Sequence, residues 1–378
     1  VNPHLAAVLL SGLAFAVPAM GRFVYTPILP LMQAEYGVSI VAAGWLAAAN
    51  HIGYLLGALT AARAPFTERR TMRIGLAGVA AGIAAMAFTG STVVWFTLRL
   101  LAGVAAAWVL IHTSAWGLRN ALAAGRPQWS GLVFAGSGLG VVLSGVLCAV
   151  WIVLGGGADG AWLASGVLVA LLGAVLWPRV GEPVKHHAPA AGASATGGIP
   201  RGIGAFVVAY GLCGFGYVTA ATFLPVLART VLGGGHAYAW FWPVFGVAAM
   251  VSTLLAARLG ARFGDLAAFR GAAILMAVGN AAMAVLSDAW ALAFGTVAVG
   301  GTFMVLTMLG LREARRRAPQ AATRVIGRMT IAWAVGQVAG PVVSGYLAGA
   351  QGGFGAALWV AGVALAVAVT LTPGKAAV

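Results

Sequence analysis

Apolar residues run in long, nearly unbroken blocks along this chain, and polar residues are confined to short intervals between them. Neither the alternation of a half-buried strand nor the one-sided stripe of a soluble helix dominates; most blocks are apolar all round. A bilayer-spanning helix needs about 20 such residues. Blocks of that length predict spans near 5–32, 40–62, 74–92, 93–117, 129–154 and 160–177. A second set is predicted near 202–228, 238–257, 271–287, 289–311, 325–349 and 354–372. The expected fold class is an all-α membrane protein with twelve transmembrane helices. The first block lacks a basic start and runs through Arg22 to Met32 without a cleavage motif. It is therefore expected to be a span and not a signal peptide.

Composition strengthens this reading. Of 378 residues, 61% are hydrophobic and only 8% are charged, against about 25% charged in a soluble domain. Mean hydropathy is +0.97. The 55 glycines suit close helix approach in lipid, where packing drives association. The net charge of +15 raises nucleic acid as a partner, but its distribution points elsewhere. With the amino terminus inside, Arg63, Arg69, Arg70 and Arg73 follow the second span, and Arg119 and Arg126 follow the fourth. Arg179, Lys185 and Arg201 follow the sixth, and Arg258, Arg262 and Arg270 follow the eighth. Six arginines from Arg312 to Arg328 follow the tenth, and Lys375 follows the last. Nineteen of the 22 basic residues thus lie on one side. Cytoplasmic connections are enriched in Lys and Arg, so both termini are expected in the cytoplasm and the basic balance reads as topology.

The spans divide into two sets of six. Residues 1–178 form the first half, 179–200 a solvated linker and 201–378 the second half. The linker's His186 and His187 lack further ligand types nearby, so no metal is expected. Gly136, Gly140, Val142, Ser144 and Gly145 recur 200 positions later as Gly336, Gly340, Val342, Ser344 and Gly345. Trp45 and Ala61-Ala62-Arg63 recur as Trp240 and Ala256-Ala257-Arg258, and Gly117-Leu118-Arg119 recurs as Gly310-Leu311-Arg312. Ordered matches at nearly constant offset imply two pseudo-symmetric six-helix halves, as in one large class of secondary transporters.

With these features the chain resembles the major facilitator superfamily. Arg99-Leu-Leu-Ala-Gly103 fits the superfamily's helix-four pattern. Gly327, Gly336, Gly340, Pro341 and Gly345 resemble its glycine–proline motif, here in the eleventh span; the fifth span lacks the proline. Ala261-Arg262-Phe263-Gly264 keeps the loop motif with Ala at the Asp position. Gly21-Arg-Phe-Val-Tyr-Thr-Pro-Ile-Leu-Pro-Leu-Met-Gln33, Gly44-Trp-Leu-Ala-Ala-Ala-Asn-His-Ile-Gly-Tyr-Leu-Leu-Gly57 and Thr222-Phe-Leu-Pro-Val-Leu-Ala-Arg229 resemble the YbfB/YjiJ-type branch. This resemblance implies the major facilitator fold and a transport role, but no substrate.

Ionisable groups inside a span are costly and mark function by default. All seven acids lie in or beside connections, whereas Arg22, Arg99, His51 and His112 lie within spans. Arg22 falls roughly 25 Å along the first span, and Arg99 roughly 9 Å into the fourth from the opposite side. A guanidinium without a buried acid needs carbonyls, water or an anionic ligand, and its fork suits carboxylate or phosphate. Arg22, Tyr25, Thr26, Asn50, Tyr54, Tyr217, Trp242, Trp333 and Gln337 are the expected substrate-binding set. Tyr210, also at mid-span, shares their aromatic character. His51 titrates near neutrality in principle and, with Arg99, is assigned to coupling or gating; a neutral His51 bonded to backbone is the alternative. Gly136, Gly140, Gly336, Gly340 and Pro341 are assigned to helix packing.

Cys148 and Cys213 lie in separate spans and form no redox pair. There is no Gly-rich phosphate loop with a Lys, and no nucleophile–base pair or metal cluster for an intramembrane enzyme. The chain is expected to be a secondary transporter of a small anionic or zwitterionic organic solute in the cell inner membrane, working by alternating access with proton coupling. The alternatives are an efflux antiporter for amphipathic drugs or metabolites and a non-transporting sensor. The expected partners are a small-molecule substrate, the lipid bilayer and protons. No cofactor, metal or nucleic acid is expected, and the chain is expected to act as a monomer.

Overall fold

The computed structural model describes residues 2–61, 66–181, 202–233, 235–286 and 288–374. Within them lie thirteen α-helices. The first six are α1 (Pro3–Phe23), α2 (Tyr25–Tyr36), α3 (Ile40–Ala61), α4 (Glu68–Ala85), α5 (Thr92–Ala123) and α6 (Ser130–Val153). They are followed by α7 (Ala158–Leu176), α8 (Ile203–Val231), α9 (Phe241–Phe263), α10 (Asp265–Val285), α11 (Ala289–Arg317), α12 (Ala322–Gln351) and α13 (Gly355–Leu371). There is no strand among the described residues. Together α1 and α2 make one membrane crossing, so the helices form twelve spans. Eleven are long and apolar enough by themselves, and α13 has 17 residues, roughly 26 Å of helix.

The expected first span is a broken helix. Pro27 has no N–H, which leaves the Phe23 carbonyl without a helical donor, and its ring crowds that carbonyl. The chain turns at Val24 and restarts. Other ends follow local chemistry. The Thr67 hydroxyl caps α4 and the Asp288 carboxylate caps α11. Gly37 and Gly352 close α2 and α12 with φ of 64° and 70°, where a side chain is disfavoured. Hydropathy misses the polar extensions. α4 begins at Glu68, α5 runs to Ala123 and α11 to Arg317, because turns carrying Arg continue these helices beyond the apolar window.

The recurring glycines make recurring contacts. Gly136 and Gly140 on α6 lie against the backbone of Gly12 and Ala16 on α1; Gly336 and Gly340 on α12 lie against Gly211 and Phe215 on α8. The other pairings repeat too: α3 with α5 and α9 with α11, α4 with α7 and α10 with α13. Even the basic ends match. Arg119 pairs with Glu68 at 2.6 Å, and Arg312, its counterpart in the repeat, pairs with Asp265 at 3.3 Å. Asp265 thus supplies a carboxylate four residues after Ala261, the position where the loop motif lacks its Asp. Glu313, fully buried at the end of α11, is held by Arg316 and Arg317.

The halves meet through α3 against α12 and α6 against α9, an exchange consistent with a pseudo-two-fold axis. On one side the Pro341 carbonyl faces Gly44, and Gly345 lies on Ile40 and Val41. On the other, Gly145 packs on Pro243 and Gly138 on Met250, but at Gly131, towards the basic end, an added Cβ would meet only Leu254, at 4.0 Å. At the end away from the basic connections α2 packs on α8. Tyr25 to Pro30 and Gly216 to Pro225 are buried throughout, whereas Arg324, Gly327, Arg328, Thr330 and Ile331 near the basic end are exposed. The halves are therefore sealed at the non-basic end.

Most of the expected linker, with Lys185, His186, His187 and Arg201, lies outside the described residues, as do Arg63 and Lys375.

Candidate functional site

Where α1 breaks, its last turn delivers Arg22 to the boundary between the halves. The small cavity there is lined from the first half by Arg22, Phe23, Tyr25, Thr26, Ala47, His51 and Arg99. Val218, Ala221, Thr222 and Trp242 close it from the second half. Its volume is about 10 Å³, comparable to the roughly 10–15 Å³ that one water molecule requires.

The two arginines occupy different environments. A charge in a span costs about 3 kcal/mol or more, so its partners decide its role. Arg99 is 3% exposed and bonded to backbone. Its Nε donates to the Leu46 carbonyl at 3.0 Å, a terminal nitrogen reaches the Arg22 carbonyl at 3.4 Å, and Tyr25 offers its ring face at 4.4 Å. Arg22 instead lies over the Tyr54 ring at 4.6 Å and near the Phe23 ring at 5.3 Å. Its Nε and one terminal nitrogen have no hydrogen-bond partner among the described residues, and no carboxylate forms an ion pair with it there.

Tyr25 and Asn50 belong with Arg99. The Tyr25 hydroxyl donates to the Ala43 carbonyl at 2.9 Å, and the Asn50 amide nitrogen donates to the Arg99 carbonyl at 3.0 Å. These bonds tie α2, α3 and α5 together beneath the cavity. His51 is 5% exposed. Both of its ring nitrogens lack partners among the described residues, in contrast to the backbone-bonded alternative. Trp242 Nε1, from the other half, also lacks a partner among them. Thr26 and Thr222 add hydroxyls from α2 and α8 to the lining.

The second half contributes aromatic rings. Trp242 stacks on Phe245 at 4.9 Å, Phe245 lies 5.7 Å from Phe303, and Phe303 stacks on Tyr217 at 4.8 Å. Tyr217 stacks on Trp333 at 5.6 Å, and Trp333 meets Tyr210 at 4.8 Å. Phe23 joins this row to the first half, 6.1 Å from Trp242. Gln337 donates to the Tyr217 hydroxyl at 3.0 Å. Thus Tyr217, Trp333 and Gln337 form a second cluster, and only Trp242 of the expected second-half residues lines the cavity itself. Phe23, Phe245, Phe303 and Thr222 were not singled out by the sequence, since Phe and Thr are common inside spans. The broken helix and the recurring Gly contacts are the signals that locate them.

Among the described residues no group of three or more His, Cys, Asp or Glu lies together as for a metal. Cys148 and Cys213 are buried and unbonded to each other.

The geometry can be set beside known proteins. A family model described as "Uncharacterised MFS-type transporter YbfB" matches residues 15–372. No curated protein matches the chain. The solved structure of the nucleoside transporter NupG is similar at TM-score 0.71 and 15% identity, covering 98% of each chain. A point mutant of NupG matches at the same TM-score with 14% identity. At that identity the likeness establishes the fold, two six-helix halves about a central axis. The chain is a multi-pass membrane transporter of the major facilitator superfamily and belongs to its YbfB-type family.

Proposed function

We propose that the protein is a secondary carrier that moves a small organic anion or zwitterion across the inner membrane by alternating access, with its basic end and both termini in the cytoplasm. The observation that carries this reading is Arg22, a buried-face guanidinium with free donors and no acid, beside a cavity whose other unpartnered groups include Trp242 Nε1 and His51. Trp242 can only donate and Arg22 can only donate. A carboxylate or phosphate accepts from both, and in doing so bridges the two halves.

The cavity holds no organic solute in its present volume. Binding therefore requires the halves to part, and the thinning of contacts towards the basic end supports entry from there. The orientation itself rests on the enrichment of Arg and Lys in cytoplasmic connections. His51, in the same lining, is the group proposed to exchange a proton with the transport cycle, and Arg99 to hold the broken helix in place.

The aromatic row favours a solute with a planar apolar part, which also keeps efflux of amphipathic compounds as a second reading. The nucleoside transporters of the same fold add nucleosides to the classes worth testing. The test is counterflow in proteoliposomes loaded with small aromatic and aliphatic carboxylates, phosphates and nucleosides. Saturable exchange with at least one anion supports the carrier; exchange with nucleosides and with none of the anions would overturn the anion assignment.

A further inference from the structure

On the side of the first half facing away from α9 and α12, α4 and α7 enclose an apolar groove of about 710 Å³. A second cavity of about 600 Å³ continues it towards the basic end, sharing Ala77 and Trp177. Both volumes fall in the range of roughly 300–1,000 Å³ seen for ligand pockets. The groove follows α7 from Gly166 to Trp177, roughly 16 Å of helix. It is narrow at Gly166, where an added Cβ would lie 2.8 Å from the Ala84 backbone, and wider at Gly173, where an added Cβ would meet only Leu76, at 3.9 Å.

Its wide end is basic. Arg69, Arg70 and Arg73 line the second cavity. Arg73 donates to the Trp177 carbonyl at 3.0 and 2.6 Å and lies over the Trp177 ring at 5.2 Å. Arg69 donates to the Pro178 carbonyl, and its Nε has no partner among the described residues. Arg70 stacks on Phe66 at 4.8 Å. These contacts hold the guanidinium groups at the rim and use only part of their five donors each. A further apolar groove, about 390 Å³ along α9, α10 and α11, has no arginine in its lining.

We propose that this groove is a binding site for an anionic phospholipid, with one acyl chain along α4 and α7 and its phosphate on Arg69, Arg70 and Arg73. The groove supplies an apolar channel of acyl-chain length, and the rim supplies the charge that complements a phosphodiester. Trp177, 42% exposed at the junction, sits where an interfacial indole belongs. This site is separate from the central cavity and does not depend on what the protein transports.

The test is native mass spectrometry of the detergent-purified protein titrated with dioleoyl phosphatidylglycerol, dioleoyl phosphatidylcholine or inorganic phosphate. The expected result is retention of phosphatidylglycerol at least tenfold tighter than phosphatidylcholine, with no retention of phosphate alone. Replacing Arg69 and Arg70 by Gln removes the preference. Ala81→Leu, which fills the groove from an exposed position and leaves the arginines intact, weakens both lipids in a protein whose thermal unfolding is unchanged. Equal retention of the two lipids by the parent protein would overturn the site, as would phosphate binding as tightly as lipid. A photoreactive side chain at position 81 that cross-links to residues 182–201 in place of lipid would also overturn it.

Discussion

The guanidinium of Arg229, on α8, donates to the main-chain carbonyl of Pro30, on α2, at 2.9 Å, and lies 5.9 Å from the Tyr238 ring. This bond crosses from one half to the other at the sealed end. It is a partly exposed hydrogen bond from a charged donor, so its loss removes about 1 kcal/mol from the closed arrangement, a population change of roughly fivefold. Arg229→Gln is expected to lengthen and broaden the distance between spin labels at Ala34 and Thr230, both exposed near the same end. An unchanged distance distribution would show that the bond does not hold the gate.

Arg99 and Arg22 are predicted to fail differently. Arg99 satisfies carbonyls at the helix break and on α3, so Arg99→Gln is expected to cost about 2 kcal/mol of stability and lower the apparent Tm in detergent. Arg22 makes no such bonds through its side chain, and Arg22→Ala is expected to leave the Tm of the ligand-free protein within about 2 °C. Circular dichroism melts of the two variants check this; equal losses would place both arginines in the scaffold.

The packing glycines give a sharper structural prediction. A Cβ at Gly336 would strike the carbonyl of Gly211 and the backbone nitrogen of Phe215, whereas a Cβ at Gly327 meets nothing within 4 Å. Gly336→Val is expected to destabilise by about 1–3 kcal/mol or more, and Gly327→Ala to be neutral or mildly stabilising. Thermal unfolding of the pair, read against the parent protein, checks the assignment.

Much of this architecture was written in the residues. Apolar run length gave the twelve crossings, and the repeated glycines marked α6 and α12 as closely packed helices without naming their partners α1 and α8, which packing alone decides. The extensions of α5 and α11 were hidden, since hydropathy ends where helix propensity continues through Arg-bearing turns. In the site, an intramembrane Arg stands out by type, so Arg22 and Arg99 were both legible. Their different surroundings were not, because which main-chain carbonyls lie within reach of Arg99 is set by packing. Asn50 and Tyr25 had the same limitation; their partners are also carbonyls. The aromatic row through Phe245 and Phe303 depended on packing between α9, α8 and α11, and no periodicity in one helix reveals it.

Tyr54 provides a test of how Arg22 is held. A ring under a guanidinium contributes about 0.5–2 kcal/mol. Tyr54→Phe is expected to keep ligand affinity, and Tyr54→Leu to weaken it by roughly three- to thirtyfold. Ligand titrations by thermal shift measure both. If Phe and Leu behave alike, the ring face plays no part.

His51 is predicted to matter for driving force and not for binding. His51→Asn is expected to reduce uptake driven by a proton gradient while leaving counterflow of the same solute within about twofold, since counterflow needs no net proton movement. Equal losses in the two assays would make His51 a binding or packing residue.

The most direct measurement is the affinity of purified wild-type and Arg22→Ala protein for small carboxylates and phosphates, read as ligand-induced stabilisation, since a ligand that binds only the folded state raises its apparent stability. The account predicts that at least one anion stabilises the wild-type protein and binds the variant at least tenfold more weakly, with the melting of the ligand-free variant unchanged. Equal affinity of the two proteins for every anion that binds would contradict it.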